Sequence, residues 1–288
     1  MVFRLLVVDG NVRAAREGHA AHYRGKTPGQ AYADVLESLA AEVRCDVCLP
    51  ADEGADLPDC GGLAGYDGVA LTGSGLHIYH DDPAVARQVD FARAVFAANI
   101  PFFGSCWGLQ VATVAAGGSV VRNPLGREAG IARNIAPNTT GRAHPLLAGR
   151  PAAFDAPCVH FDIVETLPPD ATILAHNAYS AVQAAEIRHC GGTFWGVQYH
   201  PEYSLEQMAA ILDRGWESFV AAGALPDQAG VHGYAAELRA LHADRARTDI
   251  AWRLGIQPEI VDDHARNTEL RNWILSRVRP EKSRRGRA

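Results

Sequence analysis

A cysteine held between two glycines, where an apolar run gives way to a helical pattern, can act as a nucleophile, and this chain carries one in Gly104-Ser105-Cys106-Trp107-Gly108-Leu109-Gln110. Pro101, Phe102 and Phe103 read as the end of a buried strand, and Trp107, Val111, Val114 and Ala115 recur at helical spacing. Cys106 therefore falls on a strand-to-helix elbow. Such a turn strains its central residue, requires small neighbours and pushes the side chain out at the carboxyl end of the sheet. The positive end of the following helix favours thiolate over thiol. Downstream, the strand pattern Phe194 to Tyr199 ends in His200-Pro201-Glu202, a base followed by a carboxylate that can orient it. A lone cysteine in a soluble chain is ordinarily structural, and a lone His-x-Glu is ordinarily a solvated loop. Together, in the order Cys106, His200, Glu202, they read as a catalytic triad.

The elements around these residues predict an α/β fold, a mainly parallel central sheet with helices on both faces, followed by a small helical C-terminal appendix. Met1 to Asp9 reads as a first buried strand and Gly68 to Leu71 as another. Thr27-Pro28-Gly29-Gln30 starts a helix with a capping box and an early proline, and Asp82-Pro83 starts a second. Past Gly117 the pattern shortens to β-like pieces, Ser119 to Arg122, Gly130 to Ile135, Thr172 to His176 and Ala181 to Ile187, expected as antiparallel additions at one end of the sheet. Ser204 caps the last core helix, and Ala221 to Pro226 reads as a linker. The expected division is 1–223 for the α/β domain and 224–288 for the extension. In the latter, Leu238, Leu241, Trp252, Leu254, Ile256, Ile260, Leu270, Trp273 and Ile274 need a surface to cover them, on the main domain or on a second copy that would make a homo-oligomer. The basic end, Lys282 to Arg287, reads as a disordered, solubilising tail.

Composition narrows the function. With 288 residues, 48% hydrophobic content and a net charge of −6, the chain can bury a sizeable core and carries no balance that invites nucleic acid or a membrane surface. The N-terminal apolar run is too short for a signal peptide, so a cytoplasmic protein with six reduced cysteines is expected. Cys45-Asp46-Val47-Cys48 has metal spacing but no second ligand pair, and it falls in a strand pattern; core thiols and no metal site are expected. His77, His80, His144 and His189 show no paired spacing and read as ordinary loop residues.

From Phe3 to Ala222 the sequence resembles the class I glutamine amidotransferase family. Four islands carry the likeness: the Gly-x-Cys-x-Gly elbow, His200-Pro201-Glu202, Leu71-Thr72-Gly73-Ser74-Gly75 and His160-Phe161-Asp162-Ile163-Val164-Glu165-Thr166-Leu167-Pro168. The resemblance implies a flavodoxin-like amidotransferase fold without a cofactor. It also implies an oxyanion hole from the amides of Gly73 or Ser74 and Trp107, and a substrate pocket formed by Gln110 and a loop of His160, Phe161 and Asp162. The expected substrate is glutamine or a γ-glutamyl compound, opened through a thioester on Cys106. Thr-Gly-Ser replaces the usual Gly-Gly-Pro of the third island, which is similar to stand-alone, GMP-synthase-related members and to γ-glutamyl peptidases. That departure leaves the acceptor open. An amidotransferase would pass ammonia to a synthetase or other acceptor-enzyme partner, a stand-alone γ-glutamyl amide or peptide hydrolase would use water, and a non-catalytic interaction protein would keep only the fold.

Overall fold

The computed structural model describes residues 2–286. Strand β1 (Phe3–Val8) shows how the sequence fills two cores from one sheet. Its side chains alternate, so Leu5 and Val7 join Tyr32, Leu36, Ala70 and Phe103 on one face, while Leu6 and Val8 join Val69, Leu71, Phe102 and Trp107 on the other. The remaining strands are β2 (Val43–Cys48), β3 (Gly68–Leu71), β4 (Phe102–Ser105), β5 (Ser119–Arg122), β6 (Glu128–Pro137), β7 (Phe154–His160), β8 (Asp162–Thr166), β9 (Ala171–His176), β10 (Ala184–His189) and β11 (Gly192–Val197). Among the described residues nine of these eleven strands form one sheet in the order β2-β1-β3-β4-β11-β10-β9-β6-β7. Pairing is parallel from β2 through β11 and antiparallel beyond it. No helix among the described residues is long and apolar enough to cross a membrane.

Local signals set the helix starts. Thr27 caps Pro28–Leu39 through a reciprocal pair, its hydroxyl accepting from the Gln30 N–H at 3.3 Å and its own N–H donating to Gln30 Oε1 at 2.9 Å. Asp82 caps Pro83–Ala97, and Ser204 caps Leu205–Arg214. Asp9, buried at the end of β1, accepts from the Gly29 N–H at 2.8 Å and so ties the helix start to the sheet edge.

Several expectations are corrected. Ser119 to Arg122 does not extend the main sheet; as β5 it pairs only with β8 in a separate two-stranded sheet. The stretch expected as a His160–Asp162 loop is the end of β7 and the start of β8, with Phe161 alone as the bend. β7 itself was hidden by Pro157, which the sheet tolerates because β7 lies at its edge.

The extension packs on the chain's own elements. Helix Gln228–Ala243 places Val231, Ala235, Leu238 and Leu241 against Leu205, Met208 and Leu212. Helix Thr268–Trp273 continues through a π-helical turn, Ile274–Val278, into Arg279–Arg284, and Leu270, Trp273, Ile274 and Val278 complete the core under β1. Trp252, expected to be covered, is 88% exposed on the outer face of Thr248–Leu254. The first residues of the basic tail, Lys282 to Arg284, end a helix rather than hang loose: Lys282 is buried, its ammonium 2.9 Å from Asp67 Oδ2 and also donating to the Val2 carbonyl. Met1, Arg287 and the Cys60 side chain lie outside the described residues.

Candidate active site

Three adjacent parallel strands end at the same sheet edge, and each delivers one part of the site. β3 leads into Gly73 and Ser74, β4 into Cys106, and β11 into His200. Cys106 stands at φ +52° and ψ −100°, with its N–H donating to the Val197 carbonyl at 2.7 Å. This left-handed backbone is costly for a residue with a Cβ and persists because its surroundings fix it. The flanking glycines have a steric cause: a Cβ on Gly104 would stand 2.8 Å from the Gly108 backbone, and one on Gly108 would stand 2.7 Å from the Leu71 carbonyl oxygen.

His200 is held from three sides. Its Nδ1 lies 2.7 Å from Glu202 Oε1, its N–H donates to the Pro157 carbonyl at 2.8 Å, and its ring stacks on Tyr203 at 3.9 Å between centroids. Glu202 Oε2 accepts from Ser105 Oγ at 2.9 Å, and Ser105 Oγ meets Tyr32 OH at 3.1 Å. Cys106, His200 and Glu202 are all buried. The loop after β3 approaches so closely that a Cβ on Gly73 would lie 2.5 Å from His200 Cε1.

These groups meet at a cavity of about 350 Å³. Cys106, His200, Gly73 and Ser74 line it together with Gln110, His160, Phe161 and Asp162, so eight of the site residues expected from the sequence share one space. Glu202 stands behind His200, and the Trp107 side chain turns into the core, its indole N–H donating to Gln88 Oε1 at 2.8 Å. Gln110 Nε2 donates to the Asp162 carbonyl at 3.2 Å, and His160 Nδ1 reaches the same oxygen at 3.1 Å. His160 Nε2 meets Glu128 Oε2 at 2.8 Å, and Glu128 also accepts from Asn177 and Gln183. His160 thus links the cavity wall to a buried carboxylate.

The thiol departs from expectation. Burial pushes the Cys106 thiol up to about 12, the Glu202 charge adds to this, and the Trp107 N–H at the helix start opposes it without prevailing. That shift favours the thiol over the thiolate at neutral pH, and Sγ lies 3.7 Å from the Val159 carbonyl. Iodoacetamide should therefore label the exposed Cys190 before Cys106 near neutral pH, with Cys106 labelling rising steeply only in alkali. Mass spectrometry of alkylated peptides reads the order, and preferential labelling of Cys106 at neutral pH would contradict a resting thiol.

Other residues carry parts that their sequence positions did not disclose. His77, expected as an ordinary loop residue, lines the cavity with Nδ1 2.7 Å from Asp162 Oδ2, and Tyr79 OH donates to Asp162 Oδ1 at 3.0 Å. His144 is likewise anchored, its Nε2 3.2 Å from Glu186. Ser105 and Tyr203 were visible only as neighbours of the motifs. The Cys45 and Cys48 thiols sit in β2, both pushed up to about 12 by burial, and among the described residues no group of three or more His, Cys, Asp and Glu is gathered as for a metal ion.

A thiol on an elbow that shares a cavity with a histidine–carboxylate pair, at the carboxyl edge of a mainly parallel sheet, is chemically able to carry out acyl transfer. The family model for glutamine amidotransferase class-I matches residues 33–217, and the chain belongs to the class I glutamine amidotransferase family. It is 35% identical over 289 residues to a γ-glutamyl-L-1-hydroxyisopropylamide hydrolase from a Pseudomonas species, a match covering 98% of this chain and 95% of that one. It is 30% identical over 151 residues to a glutamine-hydrolysing GMP synthase from Thermomicrobium roseum, covering 52% of this chain but only 26% of that protein. Among solved structures, a glutamine amidotransferase from Methylobacillus flagellatus superposes with a TM-score of 0.63 at 17% identity, covering 96% of each chain, a likeness of fold.

Proposed function

We propose that this protein hydrolyses γ-glutamyl amides through a thioester on Cys106, with water as the final acceptor. The observation that carries the reading is the shared cavity of Cys106 and the His200–Glu202 pair, with Gly73 and Ser74 on its rim. Sγ attacks the side-chain amide carbon while its proton passes to His200 Nε2, which suits a thiol that burial keeps protonated at rest. The amides of Trp107 and of Gly73 or Ser74 receive the oxyanion. His200 returns the proton to the departing amine, and the carbon–nitrogen bond breaks to leave the γ-glutamyl thioester. Water, deprotonated by His200, then releases glutamate and restores the thiol. Glu202 holds the imidazole with Nε2 toward the cavity and stabilises its cationic form.

Near full-length likeness to a γ-glutamyl amide hydrolase supports water as the acceptor. A second reading, delivery of ammonia from glutamine to an acceptor enzyme, draws support from the GMP synthase match. The deciding measurement is release of glutamate and of ammonia or amine from glutamine and from a panel of γ-glutamyl amides by the isolated chain. Turnover of a substituted amide at or above the rate for glutamine is expected. Activity on glutamine alone would favour the amidotransferase, and no release from any of them would dismiss both readings.

A further inference from the structure

Two arginines line the cavity, Arg127 and Arg214, and among the described residues neither forms an ion pair; Arg127 also has a buried donor left unused. Arg127, just before β6, lines the cavity with Cys106, and its guanidinium lies between two rings, 3.8 Å from the centroid of Phe219 and 4.4 Å from that of Phe161. Its Nη1 donates to Ser218 Oγ at 2.7 Å, whereas its Nε is shut off from solvent with no hydrogen-bond partner. Among the described residues no carboxylate comes within ion-pairing distance of it. Burial lowers the Arg127 guanidinium to about 10, so it stays a cation at neutral pH.

A guanidinium partly removed from water with unused donors is unfavourable until a planar anion completes it. The cavity's own Asp162 is turned to His77 and Tyr79, and its carboxylate does not come within ion-pairing distance of Arg127. Arg214, the other arginine lining the cavity, already donates to the Ala15 carbonyl.

Resting on the γ-glutamyl reading, we infer that Arg127 is a specificity-determining residue that binds the substrate α-carboxylate and so selects the γ-glutamyl acyl group. The leaving nitrogen must face His200, which gives it a proton. Arg127 stands against Phe161 and Phe219 in the cavity that also holds Gln110 and Asp162, and is free to meet a carboxylate on the acyl side of the substrate. A substrate carboxylate could also belong to the leaving group, as in a γ-glutamyl peptide, and the test separates the two sources.

The test compares kcat/KM of the full chain and of Arg127→Gln on L-glutamine and on its α-amide, and on γ-glutamylglycine and γ-glutamylmethylamide. The parent protein should prefer the α-carboxylate over the α-amide by roughly tenfold or more, the scale of a charge-assisted hydrogen bond. In Arg127→Gln that preference should fall towards unity while the ratio of glycine to methylamide leaving groups holds. A selective loss of γ-glutamylglycine would move the carboxylate to the leaving group and overturn the assignment; unchanged ratios throughout would also overturn it. Arg127→Lys keeps charge and bulk without the planar fork, should show an intermediate preference, and serves if the glutamine variant misfolds. Calorimetric binding of L-glutamate to Cys106→Ala, with and without Arg127→Gln, is independent of turnover. If the parent chain hydrolyses none of the four compounds, the γ-glutamyl hydrolase reading fails, and glutamate binding still decides. Roughly tenfold weaker binding on loss of Arg127 supports the carboxylate site, and equal binding or none to either variant refutes it.

Discussion

Cys106→Ala should reduce turnover of γ-glutamyl amides by roughly a million-fold, the scale seen when a covalent nucleophile is removed, while leaving thermal stability close to that of the parent. The expectation of an intact fold follows from the elbow geometry. Alanine carries the same Cβ into the same φ of +52°, and the thiol's contact with the Val159 carbonyl, at 3.7 Å, is a weak one. Cys106→Ser should be nearly as inactive, because a hydroxyl is a weaker nucleophile than sulfur in a pocket shaped for the larger atom. His200→Ala should fall to a similar floor, since the resting thiol cannot lose its proton unaided. Glu202→Gln should lose about a hundredfold less, because it orients and stabilises a base without touching the reacting atoms. Pre-steady-state acylation by a chromogenic γ-glutamyl amide separates these cases. Acylation of the His200 variant at the parent rate would mean that another base serves Cys106.

What the sequence disclosed was what short stretches encode. The capping box at Thr27 and Gln30, the aspartate at residue 82 and the serine at 204 act within one helical turn, so their structural roles follow from residue types alone. The elbow was legible for the same reason, because its glycines are dictated by contacts between consecutive elements. Contacts across long separations were hidden. Ser105 reaches Glu202 because β4 and β11 are neighbours, and His77 reaches Asp162 because the start of β8 meets the loop after β3. Apolar composition also misled at Trp252: its helix is only seven residues long and buries Ile250, leaving the indole outside. At the basic end two of the charges that suggested a solvated tail are ion-pair and carbonyl partners, with Lys282 meeting Asp67 and Arg285 meeting Glu281 and the Asn99 carbonyl.

The resting thiol shows a competition that sequence alone could not weigh. The helix start at Trp107 lowers the thiol and burial raises it, and their relative size depends on how completely the surrounding strands exclude water. A motif specifies that a cysteine, a histidine and a carboxylate will meet. It does not specify the dielectric in which they meet.

The second large effect should come from far along the chain. Glu269 is fully buried in helix Thr268–Trp273, where it takes a forked pair of hydrogen bonds from Arg150 at 2.7 Å each and a third from Tyr199 OH at 2.9 Å. Removing one member of a buried ion pair strands the other, so Glu269→Ala should cost about 3–5 kcal/mol in unfolding free energy. Trp273→Ala should cost a similar amount, about 3–5 kcal/mol, by opening a cavity where the indole packs 5.8 Å from Phe103 and closes over Gly68. Denaturant unfolding followed by tryptophan fluorescence or circular dichroism measures both. Glu269→Ala should carry an additional signature, because Tyr199 immediately precedes His200, and loss of its anchor loosens the base. At temperatures where the variant is still folded, kcat should drop more than it does for Trp273→Ala. Deleting everything after residue 223 removes Glu269 and Trp273 together with Leu270, Ile274 and Val278, and should leave a chain that no longer unfolds cooperatively. A truncated protein with the parent's stability and activity would show that the β1 core does not need these helices, despite the number of buried side chains they supply to it.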